Sequence, residues 1–162
     1  MLTGTKKMFL AAAVITAAIM PLGLMVQAAE QGQTITKNGT YATVQANAAN
    51  FTGRAWVENL FRPHGTSKVY AASVSFEPGA RTHWHSHATG QSLIVTAGYG
   101  YTQEWGKPVT VLQPGDVVWC PPGVKHWHGA GPDTSMIHIA VSEASSAGVT
   151  WMEAVDADQY PR

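Results

Sequence analysis

From Phe51 onward, apolar residues come in short runs cut by Gly and Pro, rather than at the three-to-four-residue spacing of a helix. Val69 to Phe76 (VYAASVSF) alternates in part and is rich in strand formers, and Glu77-Pro78-Gly79 ends it with a turn. Gln91 to Ala97, Tyr101 to Trp105, Pro108 to Leu112, Val117 to Cys120, Lys125 to Gly129 and Met136 to Val141 repeat the theme. They are separated by Gly98 and Gly100, Gly106, Pro114-Gly115-Asp116, Pro121-Pro122-Gly123 and Gly131-Pro132-Asp133. Strands at this spacing predict an all-β sandwich or barrel over residues 51–162. Trp151 to Tyr160 is expected as a short helix or turn on the outside. Residues 29–50 are polar and short of large side chains, and read as a loose arm with Ile35 and Tyr41 as docking points.

The start of the chain has a different pattern. Lys6 and Lys7 precede the uncharged run Met8 to Met20, Pro21 and Gly23 break it, and Val26-Gln27-Ala28 provides a small-residue exit. This is the layout of a secretory signal over residues 1–28, with cleavage after Ala28 and residence in the periplasm or outside the cell. The uncharged stretch through Ala29 is 22 residues, so a retained anchor is the alternative. Cleavage removes two of ten basic side chains, leaving eight against ten acidic ones and a formal charge of −2. A mature chain of this kind has no remaining membrane segment.

Only 12% of residues are charged and the whole chain has zero net charge. With no basic cluster, nucleic acid is not an expected partner. The one cysteine, Cys120, excludes an internal disulfide and a Cys-rich zinc site, and reads as buried rather than nucleophilic.

The histidines change the picture. Six of the seven lie between His83 and His138. His85 and His87 are two apart, as are His126 and His128, so in strands each pair projects from one face. Two such pairs on facing strands collect imidazoles inside a barrel, where a metal is the simplest way to satisfy them. Along Met136 to Val141, His138 shares a face with Met136 and Ala140, while Ile137, Ile139 and Val141 share the other. The Ile/Val face suits a core between sheets, and His138 suits a cavity among small residues. His83 reads as a rim or surface residue. Trp84, Trp105, Trp119 and Trp127 are expected as packing residues, with Trp84 and Trp127 opposite the histidine face. Asn38-Gly-Thr and Asn50-Phe-Thr also match the glycosylation pattern.

These runs resemble the two cupin motifs. Gly79, His85, His87 and Gly98 fall on the first, with Gln91 where the family usually has Glu; Gly115, Pro121, Gly123 and His126 fall on the second, with Ala130 in place of its last Asn. The resemblance implies a double-sheet jelly roll and one divalent ion held by His85, His87, Gln91 and His126. From about Phe51 to Tyr160 the chain further resembles the small Gln-type cupins, which include the manganese-dependent bacterial hydroxynitrile lyases. That narrower resemblance implies Mn(II), with Fe, Ni, Cu or Zn left open by the ligand chemistry, a small-molecule substrate, and a homo-oligomer. Its implied reaction is cleavage and formation of cyanohydrins, with His128 as proton acceptor and His138 as helper or alternate. A metal-dependent dioxygenase or oxidase of a small organic substrate, and a periplasmic ligand-binding cupin without turnover, are the other readings.

Overall fold

A computed structural model describes residues 32–161. The signal segment expected over residues 1–28 lies outside them. The strands are β1 (Val44–Gln45), β2 (Phe51–Thr52), β3 (Ala55–Phe61), β4 (Val69–Phe76), β5 (Arg81–Thr82), β6 (His85–His87), β7 (Gln91–Gly98), β8 (Gly100–Glu104), β9 (Thr110–Leu112), β10 (Val117–Cys120), β11 (His126–Ala130), β12 (Met136–Glu143) and β13 (Val149–Trp151). One sheet runs β1-β3-β4-β12-β7-β10, and the other runs β13-β6-β11-β5-β2, with β8 on the far side of β11 and β9 beside β8. All pairs are antiparallel, and the two curled sheets form a jelly-roll barrel.

The turn residues set the register. Gly98 has φ +73°, and a Cβ there would lie 2.0 Å from the Ser135 carbonyl oxygen, so no side chain fits where β7 passes the start of β12. Just beyond, the β7–β12 ladder slips: Ala97 faces Ile137, but Val95 faces His138. This bulge at Thr96 puts Val95 and His138 on one inner face. Phe76, Val74, Val95, Leu112, Ala130 and Met136 fill the barrel at one end.

β12 therefore corrects one expectation. Met136, His138 and Ser142 are the buried positions, while Ile137, Ile139 and Val141 are only half-buried. The Ile/Val face is the outer one, because the inner face belongs to the histidine.

A second cluster covers the outside of the other sheet. Trp84 and Trp127, opposite the histidines on β6 and β11, are sealed by Val155, Met152 and Tyr160 from the C-terminal tail. The tail is clamped: Tyr160 Oη donates to the Ala130 carbonyl at 2.7 Å, the Arg81 guanidinium lies 4.3 Å from the Tyr160 ring centroid, and Trp84 Nε1 donates to Gln159 Oε1 at 3.3 Å. Lys125 pairs with Glu153 and sits over the Trp105 ring. Of the two alternatives for residues 151–160, a turn at 157–159 is present, and no helix occurs among the described residues. Trp151 itself ends a strand.

Two further expectations need correcting. Trp105 and Trp119 are 51% and 57% exposed, so they are surface residues rather than core packing. Within residues 29–50, Val44 and Gln45 extend a sheet by pairing with Val57 and Trp56, while Ile35 stands in solvent. Tyr41 is half-buried under Arg62. Cys120 is buried, and burial pushes its thiol up to about 12, so it stays protonated at neutral pH.

Candidate active site

Strand pairing assembles the histidines. His126 of β11 faces His85 of β6 in register, and their ring centroids are 4.3 Å apart. His87 follows two residues after His85, with its ring 5.1 Å from His85 and 5.6 Å from His126. Gln91 opens β7 opposite Ser142 and Cys120. His128 is two residues beyond His126, and its ring is 5.2 Å from that of His85. His138 reaches in from the opposite sheet, its Nε2 3.0 Å from His128 Nδ1. All six side chains are buried. His83, by contrast, stays outside the cluster; its backbone N–H donates to the Asn50 carbonyl.

Hydrogen bonds to the backbone fix two ring orientations. His85 Nδ1 lies 3.0 Å from the His83 carbonyl and His126 Nδ1 lies 2.9 Å from the Val124 carbonyl. A carbonyl only accepts, so both Nδ1 atoms carry hydrogen and both Nε2 atoms are free lone pairs. Among the described residues, no group hydrogen-bonds to His126 Nε2, His87 Nε2, Gln91 Oε1, His128 Nε2 or His138 Nδ1, all buried. Leaving such atoms unmade costs about 1–3 kcal/mol each. Ring nitrogens of His85, His126 and His128 lie within 4.8 Å of one another. This donor chemistry fits a divalent cation: neutral imidazole nitrogens and an amide oxygen, buried and unpartnered.

Electrostatics agree with neutral rings. Burial is the main cause that pulls the His85 and His128 imidazoles well below the usual range, with the neighbouring histidines adding repulsion. Burial lowers His126 as well, against the pull of the Val124 carbonyl and Glu104. It brings His87 and His138 to about 4. All five are thus lone-pair donors at neutral pH.

A cavity of about 300 Å³ opens onto His85, His87, Gln91, His128 and His138. Its other walls are mostly apolar, with Phe51, Val57, Tyr70, Ala72, Ala140 and Trp151 among them. A cleft of about 540 Å³ lies on the other side, bounded by β8, β9 and β10, and reaches His126. It is the larger space but meets only one imidazole, so the smaller cavity is where substrate chemistry belongs.

Every predicted site residue is thus in one place. What the spacing does not reveal is that His128 groups with His85 and His126, one ring nitrogen of each lying within 4.8 Å of the others. Nor does it reveal Trp151, which pairs with His85 across β13 and β6 and lies with its ring centroid 4.7 Å from that imidazole. Read from the sequence, Trp151 falls in a segment expected as helix or turn, which hides its strand partner.

The comparisons agree with the architecture. The cupin domain model matches residues 72–141. The chain is 49% identical over 129 residues to an (R)-mandelonitrile lyase of Granulicella tundricola, covering 79% of this chain and 98% of that protein. A cupin-like protein of Thermotoga maritima superimposes with a TM-score of 0.68 at 44% identity, covering 79% of this chain and 95% of that one. A polyketide cyclase of Streptomyces resistomycificus, at 15% identity and a TM-score of 0.65, covers 80% and 91% and shares the fold. With the paired histidines, the jelly roll and these matches together, the chain belongs to the cupin family.

Proposed function

We propose that this protein is a metal-dependent hydroxynitrile lyase that interconverts cyanohydrins with an aldehyde and hydrogen cyanide. The observation that carries the reading is a hydrogen-bonded histidine pair, His128 and His138, set beside a cluster of buried lone-pair donors. The 49% identity to a mandelonitrile lyase supports it. His85, His87, Gln91 and His126 would hold the ion, Mn(II) by the narrower family resemblance. A divalent ion there would supply Lewis acidity for a substrate hydroxyl, undiminished because all four ligands are neutral.

The protein's own groups do the rest. For His128 Nε2 to take the hydroxyl proton, its Nδ1 must carry hydrogen and donate to His138 Nε2. That bond holds the ring and stabilises the imidazolium as it forms. As the proton leaves, the oxygen's electrons form the carbonyl and the bond to the nitrile carbon breaks. Cyanide leaves with the pair and takes the proton back from His128 Nε2, restoring the neutral ring. The apolar walls exclude water from the reacting carbon and hold the organic group.

A second reading has its own observation. Ring nitrogens of His85, His126 and His128 gather within 4.8 Å, so His128 would be a ligand, with its Nδ1–H donating to His138 Nε2 and orienting the ring. Metal content of the His128→Ala variant separates the two.

Purified protein loaded with Mn(II) is expected to release benzaldehyde from mandelonitrile, and chelation should stop it. Oxygen consumption with a phenolic or diketone substrate, without any cyanohydrin cleavage, would replace the lyase reading with a dioxygenase. Tight binding of a small ligand without turnover would point to a binding protein. We further propose export with cleavage after Ala28. Intact-mass measurement of the natively expressed protein checks this, and a mass that retains residues 1–28 would favour an anchored form.

A further inference from the structure

Resting on the lyase reading, we propose that Trp151 and Phe51 form a slot that selects aryl-bearing over small aliphatic substrates. Both residues lie outside the 72–141 stretch that matches the family model. They come from opposite ends of the domain, Phe51 from β2 and Trp151 from β13, and meet at ring centroids 5.7 Å apart. Trp151 lies over the His85 imidazole at 33° between planes. Phe51 backs onto Phe76 at 6.1 Å.

The indole is held in place as well as packed. With the Asn50 amide oriented by its hydrogen bonds, its oxygen accepts from Trp151 Nε1 at 3.2 Å and its nitrogen donates to the Ala49 carbonyl at 3.1 Å. The segment preceding β2 therefore positions a wall of the cavity. Phe51 is half-buried and Trp151 is exposed, so they sit toward the rim, where an organic substituent projects once the reacting carbon is near His128. Ala72 and Ala140 leave room across the cavity. Aromatic walls favour a flat π-bearing group, because rings pair by offset stacking or edge-to-face contact beyond their simple area burial.

The test compares mandelonitrile with acetone cyanohydrin as substrates. Trp151→Leu and Phe51→Leu should each lower kcat/KM for mandelonitrile about 3- to 10-fold more than for acetone cyanohydrin, the range expected for one lost aromatic pair. Trp151→Phe should restore most of the preference, and circular dichroism and metal content should match the parent. Equal losses on both substrates in correctly folded, loaded variants would overturn the slot. If the parent cleaves no cyanohydrin, the lyase reading fails, but NMR-detected binding of benzaldehyde against propanal still decides the slot. Preferential benzaldehyde binding that Trp151→Leu abolishes would support it, and identical behaviour of parent and variant would refute it.

Discussion

His128→Ala is expected to keep its fold and its divalent ion and to lose about 10²- to 10⁴-fold of its cyanohydrin cleavage rate, the range for removing a well-placed general base. The ring sits where such a base is required. Its Nε2 is buried and unpartnered, and its Nδ1 is engaged by His138. Burial first, and neighbouring histidines second, keep it neutral, hence able to accept a proton. Loss of metal in this variant would instead make His128 a ligand, with His138 orienting it. A fully loaded and fully active variant would make His128 structural. His138→Gln adds a check: if His138 only orients His128, cleavage should fall less than in His128→Ala while metal content holds.

The second large effect is expected at the pair common to both ligand sets. His126→Ala should lose the divalent ion first and cleavage as a consequence. Removing a supporting outer partner already costs roughly 10- to 100-fold in metal affinity, and removing a ligand should cost more. The Val124 carbonyl accepts from His126 Nδ1 and fixes the ring 4.3 Å from that of His85, with Nε2 left without a hydrogen-bond partner. His87→Ala is the informative companion. If His87 and Gln91 complete the set, its metal content should fall as in His126→Ala. If His87→Ala keeps its metal while His128→Ala does not, the ligands are His85, His126 and His128. Elemental analysis of the three variants after dialysis against the free metal distinguishes these outcomes.

Much of the barrel could be read from the chain because its signals are local. Gly and Pro punctuate the strands, and period-two spacing puts His85 with His87 and His126 with His128 on shared faces. The placement of Trp84 and Trp127 behind those histidines followed from the same alternation, and both are buried there. What escaped depends on pairing between distant segments. Which face of β12 turns inward depends on its pairing with β4 and β7, which no pattern within Met136–Glu143 encodes. Trp105 and Trp119 look like core residues by type, yet Trp105 lies in the turn after β8 and Trp119 on the outer face of β10. Trp151 becomes a cavity wall only because β13 returns to β6, a contact across more than sixty residues.

The tail that covers Trp84 and Trp127 also bears on the order in which the site can be completed. β6 and β11, which carry clustered histidines, have their reverse side covered by residues 152–160. During synthesis, at roughly 5–20 residues per second, those residues follow every strand that they cover. Until they arrive, two tryptophans are uncovered and the strands beneath the histidines lack their outer support. Closure of the centre therefore waits for residues 152–160. An ion held by those histidines would be captured only after this segment has folded back, because its ligands are not yet fixed before then.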